Sequence, residues 1–301
     1  MKKIKFFIVF IVLGFLGWYF FLKSYDYQIT FKTKNPTGVV YNTLAVWNNW
    51  EPPKNESVTT YTKIPFSKLS QELHVSDSLI DIEWNIVKEA DSLTKVTAYI
   101  TDKNNSLIQK LKLPFVKTDF VKRMISTVKR IQVEFKDLNG EYKVGTIETS
   151  KIPKQYCAYI SLESKLSEKA TKMMANNYYI LTYLEDNNIE IKGHPFVEVT
   201  KWNEIENTMS FNFCFPIAFN ENYQSPSDIK FKMTEEKPAL KTVFNGNYRI
   251  SDCAWFSIID FAQQHKVNIE RLPTEIFFND PHSGGNDLEW KAEIYMPLNN
   301  N

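Results

Sequence analysis

Arginine is scarce in this sequence, and the chain carries almost no net charge. Among 301 residues there are 36 basic and 35 acidic side chains, which leaves a formal charge of +1. The arginines are Arg123, Arg130, Arg249 and Arg271. Arginine supplies most planar contacts to phosphate and guanine, and nucleic-acid binding usually needs a basic surface. The composition therefore argues against a DNA- or RNA-binding role and predicts no nucleic-acid partner.

Cysteine and histidine are also few and widely spaced. Cys157, Cys214 and Cys253 form no C-x-x-C pair, and the 4 histidines form no H-x-x-x-H or H-E-x-x-H pattern. Neither a metal knuckle nor a disulfide framework is indicated, and the cysteines are expected to be small core residues. The sequence also lacks a G-x-S-x-G elbow and a P-loop lysine. These absences predict no metal and no cofactor.

One hydrophobic run is long enough to cross a membrane. Residues 6–22 are uniformly apolar, and three lysines stand among the first five residues. Trp18 and Tyr19 lie where an interfacial aromatic belt would place them, and no small-residue cleavage site follows Leu22. A cleavable signal peptide is the alternative, but the pattern favours an uncleaved anchor over residues 1–24. The lysines predict a single-pass protein of the bacterial plasma membrane, with the remainder on the extracytoplasmic side.

The next part, residues 25–150, is predicted to be a first domain. A strand is expected at 27–31, a helix at 36–50, a Pro/Asn-rich loop at 51–55, and a hairpin from 80–84 and 95–100 with its turn at 89–92. Apolar residues at helical spacing predict a long amphipathic helix over 118–137. This order of elements resembles the helix-grip architecture of START-like and polyketide-cyclase-like (SRPBCC) proteins. The resemblance implies a sheet wrapped around the last helix, with an apolar cavity between them.

The final part, residues 151–301, contains an internal repeat. Each copy reads strand, helix, strand, strand, with helices predicted at 167–186 and 252–265 and a linker at 220–228. In the first helix, Ala170, Met174, Tyr178, Leu181 and Leu184 are expected to share the buried face. Neither unit can bury its sheet face alone, so the copies are predicted to pack as a pseudo-twofold pair. The fold class is thus α+β, with an N-terminal transmembrane helix, a START-like domain and a duplicated β-α-β-β domain.

The second copy carries three ordered motifs. They are Gly-Asn-Tyr at 246–248, Pro-Thr-Glu-Ile-Phe-Phe-Asn-Asp-Pro at 273–281, and Glu-Ile-Tyr-Met-Pro-Leu at 293–298. Together with the duplication, they resemble the GyrI-like family, which includes the effector-binding domains of multidrug-sensing AraC-type and MerR-type regulators. The resemblance covers about half of the chain. It implies a cleft between the copies that binds flat, hydrophobic and often cationic compounds.

The resemblance also implies which residues form the binding site. The family's glutamate corresponds to Glu275, which would supply the counter-charge for a cation and shares a strand face with Phe277. Other ligand-binding candidates are Tyr248, Trp255, Trp290 and Glu293. Each has a structural alternative: the aromatic residues also fit a plain core, and Glu293 also fits a surface pair with Lys291.

The sequence departs from the regulators in one respect, because an apolar span and a strand-rich domain stand where a helix-turn-helix domain would be. We therefore expect a membrane-anchored protein that binds hydrophobic or cationic small molecules for sensing, sequestration or transport. One alternative is a GyrI-like hydrolase that uses Glu275 as general acid or base. Another is a scaffold whose grooves bind partner proteins.

Overall fold

The protein is an α+β chain with two antiparallel sheets. The computed structural model describes residues 2–47, 57–75, 78–90, 93–224 and 228–299. The chain folds as two compact units, Met1–Lys136 and Asp137–Asn301. The predicted loop at 51–55, the end of the predicted helix at 48–50 and parts of two predicted connections, 91–92 and 225–227, lie outside the described residues.

The N-terminal helix α1 (Lys2–Gly17) continues as a π-helical turn, Trp18–Leu22. The side chains of α1 are almost all exposed, so the helix buries little of its apolar surface against the described part of the chain. Among the described residues, the stretch Lys3–Leu22 is the one helix long and apolar enough to cross a membrane. A signal sequence passes the same test, so this helix fits either an anchor or a leader.

The first unit is built on a five-stranded sheet of order β1-β5-β4-β3-β2. In chain order its elements are β1 (Tyr27–Thr33), α2 (Thr37–Val46), β2 (Ser57–Ile64), β3 (Lys68–Val75), β4 (Ser78–Ala90), β5 (Leu93–Asp102), α3 (Ser106–Lys112) and α4 (Asp119–Glu141). The predicted first strand, hairpin and long helix are present. The predicted early helix is shorter, since it ends at Val46 and Trp47 is extended.

The sequence did not predict β2, β3 or α3. In β3 the inward positions are Leu69, Gln71 and Leu73, which are all buried. Gln71 interrupts the apolar alternation, but it has a structural reason to be inside. Its side-chain amide donates to the Leu44 carbonyl at 3.1 Å, and its oxygen accepts from Trp84 Nε1 at 3.0 Å. Because its polar atoms are satisfied, a glutamine can join the sheet to α2 within the core.

A second buried amide holds α4 against the sheet. Asn35 is fully buried, and its Nδ2 donates to the Phe135 carbonyl at 2.9 Å and to Thr33 Oγ1 at 2.8 Å. The Asn35 carbonyl in turn accepts from Thr94 Oγ1 at 2.8 Å. The rings of Phe31 and Phe135 pack 6.1 Å apart beside these bonds. The likeness of this unit to a helix-grip domain stays a prediction.

The second unit contains one large sheet of order β11-β8-β10-β9-β13-β14-β12-β6, with β7 also paired to β12. In chain order its elements are β6 (Tyr142–Val144), β7 (Glu148–Ile152), β8 (Tyr156–Lys165), α5 (Lys169–Asp186), β9 (Phe196–Asn203), β10 (Thr208–Pro216), β11 (Lys230–Met233), β12 (Lys237–Gly246), α6 (Asp252–His265), β13 (Thr274–Phe277) and β14 (Lys291–Pro297). Cys157, Cys214 and Cys253 are free and buried. Residues 142–152, which the sequence placed largely before the domain boundary, pair with β12 here.

The sheet order has the same strand pattern in the two predicted copies. The first copy contributes its strands as β8-β10-β9, and the second contributes them in reverse as β13-β14-β12. The copies meet where β9 pairs with β13 antiparallel, and Val197 lies directly opposite Glu275 at this seam. Both residues are the second after a proline, so they occupy equivalent positions in the two copies. The single carboxylate at these two positions therefore breaks the internal symmetry.

We expect Asn35→Ala to lower the free energy of unfolding by about 1–3 kcal/mol, because the side chain satisfies buried polar atoms on both β1 and α4. Urea unfolding of the detergent-solubilised chain, followed by tryptophan fluorescence, measures this change. An unaltered midpoint would show that the amide does not join α4 to the sheet.

Candidate functional site

The buried face of the helix α5 agrees only in part with the one that the sequence predicted. Its buried residues are Lys169, Ala170, Met173, Ile180 and Leu184, whereas Met174 and Tyr178 are exposed. The prediction was therefore wrong for Met174 and Tyr178. The true stripe runs 169, 173, 177, 180 and 184, in steps of three or four. It was missed because a lysine and an asparagine stand on it.

Lys169 is buried because it forms an ion pair with Glu275. Its Nζ lies 2.7 Å from each carboxylate oxygen, and the two side chains are 1% and 0% exposed. The same Nζ lies 4.5 Å from the ring centroid of Trp255, within the range of a cation–π contact. The pair joins the helix of the first copy to the seam strand of the second. The sequence identified Glu275 and Trp255, but not Lys169.

Two further groups complete the surroundings of the carboxylate. Trp255 Nε1 donates to Glu275 Oε1. Ser251 Oγ lies 3.1 Å from both Glu275 oxygens and accepts from Lys169 Nζ at 2.8 Å. Ser251 stands at the N-cap position of α6, but its side chain makes no capping bond. Its hydroxyl serves the ion pair instead. Both carboxylate oxygens of Glu275 therefore already have partners within the chain.

An apolar cavity of about 300 Å³ opens beside this pair. We call it the seam cavity, because both copies of the repeat line it. Its walls are mainly aromatic and thioether side chains, with a few polar groups among them. The lining residues are Met173, Met174, Asn177, Leu181, His194, Pro195, Phe213, Phe215, Tyr248, Phe277, Phe278, Asn279, Asp280, Pro281 and His282.

The seam cavity and the ion pair are adjacent along two elements. Met173 lines the cavity one helical turn after Lys169, and Phe277 lines it two positions after Glu275 on the same strand face. The pair therefore lies behind the cavity wall, and neither charged residue belongs to the lining. The expected sharing of a face by Glu275 and Phe277 holds, since both lie on the side of β13 that packs toward Trp255 and Tyr248.

Tyr248 is held in place by both its ring and its hydroxyl. Its ring lies 4.8 Å from Phe277 and 5.7 Å from Trp290. Its hydroxyl donates to the Lys291 carbonyl at 2.8 Å and accepts from the Asn279 amide at 3.1 Å. Burial raises the pKa of Tyr248 to about 12, so the phenol stays neutral in the physiological range. The residue thereby presents a fixed aromatic wall to the cavity.

Glu293 lies apart from these residues. It shares a strand face with Tyr295, whose hydroxyl donates to it at 2.8 Å, and it forms ion pairs with Lys291 at 3.0 Å and Lys241 at 3.1 Å. Burial opposes its charge, but these hydrogen bonds prevail and hold the pKa of Glu293 below its usual range. The alternative of a pair with Lys291 is thus the one that the structure adopts.

The structure brings together most of the predicted site residues. Tyr248 and Phe277 line the seam cavity, and Trp290 packs against Tyr248. Glu275 and Trp255 lie behind the wall. Glu293 is separate from this group.

No protein-family model matches the chain, and no curated protein matches it. Among solved structures, it is similar to the C-terminal domain of EcmrR, with 14% identity and a TM-score of 0.43 over 52% of this chain and 99% of that one. It is also similar to SAV2435 bound to tetraphenylphosphonium, with 11% identity and a TM-score of 0.36 over 51% of this chain and 94% of that one. A hydrolase from Listeria innocua is similar at 11% identity and a TM-score of 0.36, over 51% and 92% of the two chains.

These similarities extend over about half of the chain. At these identities and TM-scores the likeness concerns the fold. The function has to follow from the geometry of this chain.

We expect Lys169 and Glu275 to contribute to the free energy of unfolding as a unit. Either Lys169→Met or Glu275→Gln should lower the free energy of unfolding by about 3–5 kcal/mol, because each leaves one buried charge without its partner. The double variant should be less destabilised than either single variant, since it leaves no charge and keeps an acceptor for Trp255.

Urea unfolding of the four proteins measures this coupling. Lys151→Met is a matched control, because Lys151 pairs with Glu236 at 2.6 Å on the exposed surface and should contribute about 0–1 kcal/mol. Additive losses in the double variant would show that the pair does not act as a unit.

We expect the stability of the fold to depend on pH through Asp252, at the start of α6. Desolvation raises the pKa of its carboxyl to about 6; the charge of Glu275 adds to this effect and Lys169 opposes it. Because the folded-state pKa lies above the unfolded value of 3.8, the carboxyl's contribution to stability is complete below pH 3.8 and is lost as the pH rises through about 6.

Asp252→Asn should therefore stabilise the protein by about 1–3 kcal/mol at pH 7.5 and leave it nearly unchanged at pH 4. Urea midpoints at the two pH values measure the effect. Asp119→Asn, an exposed substitution in the first turn of α4, should change stability by less than about 0.5 kcal/mol at either pH. An equal effect of Asp252→Asn at both pH values would contradict the assignment.

Proposed function

We propose that this chain is a membrane-tethered binding protein that holds a hydrophobic small molecule in the seam cavity. The observation that carries this proposal is the cavity itself: about 300 Å³ of mostly apolar space between two repeats, walled by fixed aromatic side chains. This volume is at the small end of the range for ligand sites, which are typically apolar with a few polar groups that orient the ligand. Asn177, Asn279 and His194 are such groups here.

The ion pair favours an uncharged ligand. A lipophilic cation would need a carboxylate and an aromatic face, and Glu275 with Trp255 offers both. Lys169 already occupies that position, at 2.7 Å from the carboxylate oxygens and 4.5 Å from the indole centroid. A cationic ligand would have to displace this ammonium into a buried apolar wall, which is unfavourable. A neutral hydrophobic compound needs no such displacement.

The same geometry favours binding over hydrolysis. A general acid or base must reach the proton that it transfers, either directly or through one water molecule. Glu275 is 0% exposed, does not line the cavity, and has both oxygens engaged by Lys169, Ser251 and Trp255. In this arrangement it stabilises the cavity wall rather than facing a substrate.

The apolar helix at the N-terminus supports a membrane location for the binding site. In this proposal α1 is an uncleaved anchor, and the lysines before it hold the N-terminus in the cytoplasm. Both compact units then lie on the extracytoplasmic side. A hydrophobic compound that concentrates in the bilayer would meet the cavity there, for sensing, sequestration or transport.

We expect the chain in lipid nanodiscs to bind neutral triphenylphosphine oxide more tightly than the cation tetraphenylphosphonium. In Lys169→Met, affinity for the cation should rise about tenfold or more, because the charge of Glu275 behind the cavity wall is no longer neutralised by an ammonium. Affinity for the neutral probe should change by less than about threefold, since the cavity lining is unaltered. Isothermal titration calorimetry with subtraction of empty nanodiscs measures both.

Three further variants complete the test. Lys169→Met combined with Glu275→Gln removes both charges and should lose the gain in cation affinity. Asn177→Trp places a large ring into the cavity from a partly exposed position and should abolish binding of both probes. Equal binding by wild type and Asn177→Trp would exclude the seam cavity as the site. Tight cation binding by the wild type that Glu275→Gln removes would show that ligands displace Lys169 and that the cationic class is the right one.

A further inference from the structure

A cluster of exposed apolar side chains stands on α3 and the turn that follows it. Five large apolar residues within ten positions are between 50% and 83% exposed. We call them the α3 patch: Leu107, Ile108, Leu111, Phe115 and Val116. Single exposed apolar residues are ordinary on a protein surface, whereas a contiguous group of this size usually marks an interaction site.

The α3 patch is joined to the end of the apolar N-terminal helix within the same compact unit. Tyr19 donates its hydroxyl proton to the Lys110 carbonyl at 3.0 Å. Lys110 is itself buried, and its Nζ donates to the Lys23 carbonyl at 2.6 Å and the Phe20 carbonyl at 3.4 Å. The lysine thus satisfies carbonyls that the last turn of the apolar helix leaves without a helical partner.

A second set of bonds fixes α3 at the point where the chain leaves this helix. Asp26 is buried and accepts from Ser106 Oγ at 2.5 Å and from the Asp102 amide at 2.9 Å. The start of β1 and the start of α3 are therefore held together. Since α3 is fastened both to the last turn of the span and to the first strand, its exposed side chains stay beside the exit of the apolar helix.

The charges around the α3 patch match a membrane surface. Residues 103–118 contain four lysines and no acidic residue. Of these lysines, Lys110 is buried and Lys103 pairs with Glu72 and Asp81. Lys112 and Lys117 are exposed among the apolar side chains. Apolar residues with neighbouring lysines are typical of segments that lie in the interfacial layer of a bilayer with anionic lipids.

We propose that the α3 patch inserts into the interfacial layer of the membrane that α1 crosses, so that the first unit rests on the bilayer at two points. This proposal depends on the anchoring role of α1 given above. It commits to lipid as the occupant, because the patch continues directly from the spanning helix. The sheet then rises from the membrane with the Asp26 end nearest to it and the Thr33 end farthest away.

The test uses the full chain reconstituted in vesicles of phosphatidylcholine with phosphatidylglycerol, labelled with an NBD fluorophore at one introduced cysteine. The native cysteines are buried, and labelling of the unsubstituted chain gives the background. The labelled positions are Leu13→Cys in the span, Phe115→Cys and Val116→Cys in the α3 patch, and Val87→Cys as control. Val87 is exposed and pairs with Lys95, which in turn pairs with Lys32 on β1. Lys32 lies six residues after Asp26, so the control position is about 20 Å along the sheet from the Asp26 end.

Lipids with brominated acyl chains should quench the labels at positions 13, 115 and 116 by about half or more, and the label at 87 by less than about a tenth. Replacing Leu111 and Phe115 by serine should reduce quenching at Val116→Cys at least about twofold, because those side chains hold the segment in the lipid. Both are exposed, so these substitutions should leave the fold intact. Weaker quenching at 115 and 116 without phosphatidylglycerol would show that anionic headgroups contribute.

Two negative outcomes are distinguishable. Quenching at 13 without quenching at 115 and 116 would leave α1 as an anchor and overturn the membrane role of the α3 patch, which would then face water or a protein. No quenching at 13, together with failure of the chain to float with the vesicles, would overturn the anchor itself and the present proposal with it.

Discussion

The second unit depends on one buried ion pair, Lys169 with Glu275. Burial of two charges is unfavourable unless each finds a close partner and the remaining polar atoms are satisfied. Here the ammonium lies 2.7 Å from both carboxylate oxygens, and Ser251 and Trp255 form the other hydrogen bonds to the carboxylate. Because Lys169 belongs to the helix of one copy and Glu275 to the strand of the other, the pair also fixes how the two copies meet.

The pair makes an internally duplicated fold asymmetric at its centre. Val197 and Glu275 occupy equivalent positions and face each other across the seam. If both were valines, the seam would be apolar and Lys169 would have no reason to be buried. If both were glutamates, two carboxylates would share the site with a single ammonium. One of each leaves a neutral pair behind a neutral wall, and the seam cavity on the other side of that wall can remain apolar.

The first unit uses buried polar groups in a different way. Asn35 and Gln71 satisfy backbone carbonyls inside the core, while Lys110 and Asp26 fasten α3 to the exit of the apolar helix. In each case a long or branched polar side chain joins elements that are far apart in sequence. The exposed α3 patch is the consequence for the surface, since α3 turns Ser106 and Lys110 toward the chain and leaves its apolar residues exposed.

The sequence by itself determined the apolar span, the strands β1, β4 and β5 and the helix α4 of the first unit, and the repeated strand and helix pattern of the second. Each of these follows from local periodicity, which a chain displays whatever its tertiary partners are. It also brought forward Tyr248, Trp255, Glu275 and Phe277, through motifs within the second copy. It misplaced the buried face of α5, overlooked β3, and held no sign that Lys169 is internal. The reason is common to all three: a lysine or a glutamine normally marks an exposed position, and only a partner at a distance reverses that expectation. The partner of Lys169 is 106 residues away, so only the tertiary structure decided that this lysine is internal and that Glu275 already has its cation.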